Sequence, residues 1–333
     1  MPKDPDVQDE PALEPALPIV DAHHHLWRRD RPLYGYPRDY MAPDLVADAQ
    51  GHNVVATVYM ECHSAYRAGG PEAMRPVGET EFAVASAGRV GATEVCAGIV
   101  AYADLMLGEA AGEVLDAHAE AGRGRFRGVR NMVIFTEDPG ATAGFRLVPP
   151  RRLAEPALRA GARELVRRGL VFDTWLFQSQ LAELADFAAA LPDLTIVLDH
   201  VGGYTAIGGF AERPQETLEA WRRDLAEVAR RPNVVMKLGG MGLPTISPSL
   251  IAGGGQASSE AMAALWKPLF DTCVDLFGAE RCMLESNFPV DGLAGSYRRL
   301  WNAFKRLAAG ASAAEKTALF SGTAARVYNL PAL

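Results

Sequence analysis

Three of the chain's seven histidines are consecutive, His23-His24-His25, and they follow directly on the apolar lead-in Leu17, Ile19 and Val20. Side chains of a strand alternate faces, so this spacing places Asp21, His23 and His25 on one side and Ala22, His24 and Leu26 on the other. Two neutral imidazoles on one face can ligate a metal, polarise a carbonyl or carry a proton near neutral pH. A polar cluster at a strand end has the same appearance, and these residues alone leave the choice open.

The elements that must position the pair are legible further on. Short β-branched runs recur at 54–60, 95–100, 126–134, 170–177, 195–199, 234–238 and 281–285, eight strands with the first. Between them lie helical patterns, such as 180–191 with Leu181, Leu184, Ala185 and Phe187, and 216–229 with Leu218, Trp221, Leu225 and Val228. Eight alternations predict an α/β fold, a (β/α)8 TIM barrel over 17–333 with long loops after the strands. Residues 1–16, rich in Pro, Asp and Glu, read as a flexible tail. Sites in such barrels sit where strands end, and the polar residues follow that rule. His23 and His25 end strand 1, Glu61 and His63 end strand 2, and Arg130 lies in strand 4. Asp173 and Trp175 lie in strand 5, His200 ends strand 6, Lys237 lies in strand 7, and Glu285 and Asn287 end strand 8.

Composition narrows the class of function. The 333 residues are 49% hydrophobic with a formal net charge of -8, and no apolar run approaches the roughly 20 residues of a membrane span. No basic stripe suggests nucleic acid, and Arg28-Arg29, Arg151-Arg152 and Arg222-Arg223 read as solvated positions. Cys62, Cys96, Cys273 and Cys282 lack CxxC spacing, and the N-terminus lacks a basic-then-apolar signal, so a cytoplasmic protein is expected. The expected partner is a small-molecule substrate, with neither nucleic acid nor membrane, and the chain is expected to form a homo-oligomer.

The Asp-x-His-x-His-x-Trp opening, "TIVLDHVGG" (195–203), "VVMKLGG" (234–240) and "RCMLESNFPVD" (281–291) together resemble the amidohydrolase superfamily, in its amidohydrolase-2 branch of 2-pyrone-4,6-dicarboxylate lactonase and L-fuconolactonase-type enzymes. The resemblance spans about 18–330 and implies a barrel hydrolase that opens a lactone or related ester of a small carboxylated or hydroxylated compound. It implies the paired histidines at His23 and His25 and the strand-6 histidine at His200, which would be the ligands of one divalent metal ion, zinc by preference. Some lactonases of the branch work without metal, and then the histidines and Arg130 would polarise the carbonyl. The family's strand-8 aspartate falls on Asn287, and a carboxamide cannot act as a general base, so the carboxylate would come from Glu285, Asp291 or Glu61. Arg130, Glu61, Asp173, Trp175 and Lys237 complete the expected substrate-binding set. Glu285 is open to a second role, as buried partner of Lys237.

Lesser expectations are specific enough to check. Asp21 would hold an imidazole N–H, and Asp199, next to His200, would point to the opposite face. His52 and His118 read as surface residues, and Trp27, Tyr34 and Tyr36 as core. Two other functions are compatible with the same residues: a metal-dependent decarboxylase or hydratase, and a non-catalytic binding barrel in which Asn287 marks lost chemistry.

Overall fold

A computed structural model describes residues 10–28 and 39–331 of the chain. Tyr34 and Tyr36 lie outside the described residues. Eight parallel strands run in sequence order around a nearly closed barrel: β1 (Pro18–His24), β2 (Asn53–Met60), β3 (Thr93–Ala101), β4 (Phe126–Met132), β5 (Val171–Trp175), β6 (Ile196–Leu198), β7 (Val234–Leu238) and β8 (Cys282–Leu284). A short strand, Gly88–Val90, adds to β3 antiparallel. The outer layer is α1 (Ala42–Asp48), α2 (Val77–Ser86), α3 (Ala111–Ala121), α4 (Pro156–Arg168), α5 (Leu181–Ala190), α6 (Pro214–Ala229), α7 (Ser259–Phe277) and α8 (Tyr297–Leu307). The two helices read from periodicity, 180–191 and 216–229, are α5 and α6.

Strand alternation divides the apolar residues into two cores. Val20, Val58, Val171, Val197, Val235 and Met283 meet inside the barrel, together with Tyr328 and Leu330 of the C-terminal segment. Their neighbours Ile19, Phe172, Ile196, Leu198 and Met236 face outward and pack with helix residues such as Leu165, Leu184 and Leu225. The seam between first and last strands closes beyond β8, where His25 N donates to Phe288 O at 2.8 Å and Asn287 N donates to His23 O at 2.9 Å. No helix among the described residues is long and apolar enough to cross a membrane.

Several expectations are corrected. Residues 10–16, expected as flexible tail, lie against the C-terminal helices: Leu13 N donates to Asn302 Oδ1 at 2.8 Å, and Lys305 Nζ donates to Leu13 O at 2.7 Å. Few apolar residues are needed there, because the backbone itself supplies the contacts. His118 is buried rather than exposed, sandwiched between Thr80 Oγ1 (2.8 Å) and Tyr102 O (3.0 Å). His52 is half-buried, with Lys305 Nζ donating to its Nδ1 at 2.8 Å.

The turn that leaves β2 is tied down by one buried carboxyl. Glu79 Oε1, on α2, accepts from Tyr59 OH (3.0 Å), Cys62 N (2.7 Å) and Ser64 N (3.2 Å). Burial, reinforced by the nearby charge of Glu61, pushes its pKa from 4.5 up to about 7. A folded pKa above the unfolded one makes this group's contribution complete below about pH 4.5 and progressively lost as pH rises through about 7. Glu79→Gln, which mimics the neutral acid, is expected to flatten the fall in stability between pH 5 and pH 8. Glu79→Ala should cost about 1–3 kcal/mol at pH 5 by leaving those donors unpaired. Urea unfolding at both pH values checks this, and an unchanged pH slope in Glu79→Gln would refute it.

Candidate functional site

The two imidazoles reach the barrel mouth together because β1 is bulged. Its register advances three residues from Asp21 to His24 while β2 advances two, Thr57 to Tyr59, so one extra residue resets the alternation. Val20 and Ala22 therefore face the inner core, and His23 and His25 nevertheless both face the mouth, with Nε2 atoms 3.1 Å apart. His24 turns to Thr57 Oγ1 at 2.8 Å. The bulge corrects the role of Asp21, which does not share the imidazole face. It accepts from Ser286 N (2.8 Å), Ser286 Oγ (2.6 Å) and Tyr297 OH (3.0 Å), and so ties β1 to the β8 turn and α8.

Hydrogen-bond partners assign the imidazole faces. His25 Nδ1 lies 2.9 Å from Met60 O, which can only accept, so Nδ1 carries the proton and Nε2 of the neutral ring is a lone pair. Arg130 Nη1 faces His23 Nε2 and Lys237 Nζ faces His23 Nδ1, both at 3.4 Å, and the closer Glu285 carboxylate at Nδ1 decides that Nε2 is the acceptor. His23 Nδ1 lies 2.7 Å from Glu285 Oε2, and His200 Nδ1 lies 2.7 Å from Glu285 Oε1. Burial lowers the pKa of all three rings, that of His200 to about 3, which keeps them neutral. Asn287 Oδ1 lies 3.3 Å from His25 Nε2, its amide oriented by donating Nδ2 to Asp291 Oδ1 at 2.8 Å. Two imidazole lone pairs and an amide oxygen thus converge with no proton among them, a donor set that fits a divalent cation. His23, His200 and Glu285 also bring one ligand atom each within 4.8 Å of one another.

Below this cluster lies a buried layer of charge. Lys237 Nζ lies 2.7 Å from Asp173 Oδ1, 3.1 Å from Asp199 Oδ1 and 3.9 Å from Glu285 Oε2, and Tyr328 OH donates to Asp173 Oδ1 at 2.6 Å. Arg130 donates through Nε to Glu61 Oε1 at 2.7 Å and through Nη2 to Glu61 O at 2.6 Å. Asp199 is a correction: it shares the inward parity of Val197, so it faces Lys237 rather than the opposite face. His200 reaches the mouth beside it because its backbone turns left-handed, φ 54°. Four buried carboxylates, Glu61, Asp173, Asp199 and Glu285, face two permanent cations, Lys237 and Arg130. Burial pushes Asp199 up to about 6 and Glu285 up to about 7 against the pull of Lys237. For Glu61 burial acts upward as well, but Arg130 and His63 outweigh it and its pKa is lowered.

Two glycines make the cluster sterically possible. A Cβ on Gly239 would sit 2.2 Å from Glu285 Cγ, and one on Gly240 (φ 62°) would sit 2.1 Å from His200 Nδ1. The "KLGG" ending of β7 is therefore the space in which His200 and Glu285 meet.

The cluster opens on a small recess of about 20 Å³, whose polar wall is His25, Arg130, His200 and Asn287, with Trp175 beside His200 at a ring separation of 5.5 Å. Met132, Phe145, Leu243 and Val290 are shared with a larger outer cleft of about 930 Å³. No carboxylate lines the recess, so the expected Glu61, Asp173, Glu285 and Asp291 all lie outside its wall. Asp173 and Lys237 pair with each other beneath the site rather than facing a substrate, and Glu61 is committed to Arg130. Asp291 holds Asn287 and Gly242 N (2.9 Å) instead of standing over the mouth as a base, and burial pushes its pKa up to about 8. Arg130, with two donors on Glu61, is not free to clamp a carboxylate bidentately. Glu285 meets His200 at 2.7 Å and lies 3.9 Å from Lys237 Nζ, the buried partner offered as its second role. His63 lines the outer cleft, with Nδ1 2.8 Å from Tyr66 OH, and Arg152, expected to be solvated, lines it as well.

Removing the cation of the buried layer is expected to be costly. Lys237→Met leaves Asp173 and Asp199 without their counter-charge and should lower folding stability by about 3–5 kcal/mol in chemical unfolding. A loss under about 1 kcal/mol would mean the layer is not held by Lys237.

Comparison with known proteins agrees with this architecture. The chain is 32% identical over 330 residues to an uncharacterised protein, y4mH, of Sinorhizobium fredii, covering 94% of this chain and 99% of that one. It is 28% identical over 328 residues to an L-fucono-1,5-lactonase of Burkholderia multivorans, covering 94% and 96%. Among solved structures it is similar to a zinc-bound amidohydrolase of Burkholderia multivorans, with 28% identity, a TM-score of 0.73 and coverage of 94% and 99%. The amidohydrolase family model, Amidohydro_2, matches residues 20–330, and with a barrel whose histidines converge at the strand ends, the chain belongs to the amidohydrolase-2 family.

Proposed function

We propose that the protein hydrolyses the lactone of a small hydroxylated acid. The observation that carries this reading is the convergence of neutral His25 and His200 with Arg130 on one recess, with His23 packed behind them and a carboxylate, Glu285, that touches the rings of His23 and His200. The L-fucono-1,5-lactonase similarity over nearly the whole chain supports lactones as the substrate class.

In this reading His200 handles the proton. Its Nδ1–H is bonded to Glu285, so Nε2 can take a proton from water as the water oxygen attacks the lactone carbonyl carbon. The adjacent carboxylate stabilises the imidazolium that results. When the ring C–O bond breaks, the same proton passes to the departing alkoxide, and the product is the open hydroxy acid. Arg130, held rigid by Glu61, keeps Nη1 at the recess to donate to the carbonyl oxygen as charge develops, a role in which one donor is worth about 2.7–4 kcal/mol. Trp175 and Phe145, ring centroids 4.8 Å apart, form an apolar wall that excludes water from the ring carbons. His23 and His25, with Asn287 oriented by Asp291, would hold a divalent cation, and the zinc of the related structure makes zinc the first candidate. Such a cation supplies Lewis acidity toward a carbonyl oxygen and lowers the pKa of coordinated water.

The test separates the two groups of histidines. His200→Asn is expected to retain metal by elemental analysis and lose about 10²- to 10⁴-fold in kcat on an aldonolactone panel. His25→Asn is expected to lose the metal itself. Wild-type turnover by His200→Asn would overturn the proton role. Full activity of a metal-free preparation would remove the cation and leave Arg130 and the imidazoles as the only polarising groups.

A further inference from the structure

The outer cleft carries a charge asymmetry that the hydrolytic centre does not use. Its one carboxylate, Asp104, is turned to Met106 N at 2.9 Å, while two guanidiniums, Arg146 and Arg152, line the same space. Among the described residues neither guanidinium has an ion pair or a side-chain hydrogen bond. Arg130, at the neighbouring recess, is by contrast paired with Glu61, and the whole chain carries a formal net charge of -8.

The chain beside each arginine is anchored. Leu153 N, next to Arg152, donates to Glu183 Oε1 at 2.6 Å, and Arg159 Nε donates to Leu153 O at 3.1 Å. Arg146 lies between Phe145, which packs edge-on against Trp175, and Val148, whose N donates to Ile134 O at 3.0 Å. Tyr102 lines the same cleft, and against the upward push of burial both guanidiniums pull the pKa of its hydroxyl down. The cleft is continuous with the recess through shared wall residues, and about 930 Å³ holds a sugar-sized lactone with a substituent on its far end.

We infer that Arg146 and Arg152 form a subsite for an oxyanion at the non-reacting end of the substrate, so that the preferred lactones carry a carboxylate or phosphate remote from the ring carbonyl. Planar guanidiniums match both groups bidentately. This assignment rests on the lactone-hydrolase reading for its substrate, but the anion site itself can be judged without turnover. It also moves anion recognition from Arg130, which Glu61 occupies, to a loop that follows β4.

The experiment compares D-glucono-1,5-lactone with 6-phosphoglucono-1,5-lactone and a glucarolactone, in wild type and in the double variant Arg146→Gln/Arg152→Gln. Wild type is expected to favour one anionic lactone by at least tenfold in kcat/KM, and the comparison of phosphate with carboxylate names the group. The double variant should lower the anionic-to-neutral ratio about tenfold, with the change carried by KM, as loss of uniform binding requires. A wild-type ratio near one, or a ratio unchanged in the variant, overturns the subsite while leaving lactone hydrolysis intact. If no lactone is turned over, the hydrolase reading fails and calorimetry with 6-phosphogluconate and glucarate decides the subsite. Binding by wild type that is lost in the double variant supports it, and no binding of either anion by wild type overturns it. Thermal unfolding of the variant confirms that it is folded.

Discussion

The carboxylate of Glu285 is the contact on which the rest of the site depends. Its two oxygens lie 2.7 Å from Nδ1 of His23 and Nδ1 of His200, so one side chain just past β8 holds a ring of β1 and a ring just past β6. An imidazole bound at Nδ1 presents Nε2 outward, and this is what turns buried histidines into a working surface. Gly239 and Gly240 provide the room, and Lys237 supplies part of the compensating charge.

A carboxylate held in this way cannot stand alone. Burial raises the free energy of every charge in the barrel, so Glu285 is embedded in a layer where Lys237 serves Asp173 and Asp199 and Arg130 serves Glu61. Four carboxyl groups thus share the two fixed cations of this layer. The groups that neighbour the imidazoles also form the polar floor of the barrel above its apolar interior.

Much of the fold was legible because each strand had to be apolar on two faces and each helix on one. The eight β-branched runs correspond to β1–β8, the seven with stated bounds agreeing at each end to within two residues and 234–238 matching β7 at both, and the helical spacings at α5 and α6 were read correctly. The site was legible where side chains lie at strand ends, since the barrel brings all such ends to one rim. His23, His25, His200, Arg130, Glu285 and Asn287 meet for that reason. Asp199 was missed, although its signal was present: it lies two residues from Val197 on an inward-facing strand, and the left-handed turn at His200 hid the parity.

What the sequence determined by itself was the set of chemical groups and the order of elements that gathers them, because hydrophobic periodicity dictates which segments are buried and topology then dictates which ends coincide. Only the tertiary structure decided how those groups divide their work. The β1 bulge sent Asp21 to Ser286 and Tyr297, pairing absorbed Asp173, Lys237 and Glu61 into the floor, and Asp291 became the holder of Asn287. The physical reason is that a carboxylate's role depends on which donors lie within about 3 Å of it. Distances between residues far apart in the chain are set by register, bulges and packing, none of which a residue's type or spacing specifies.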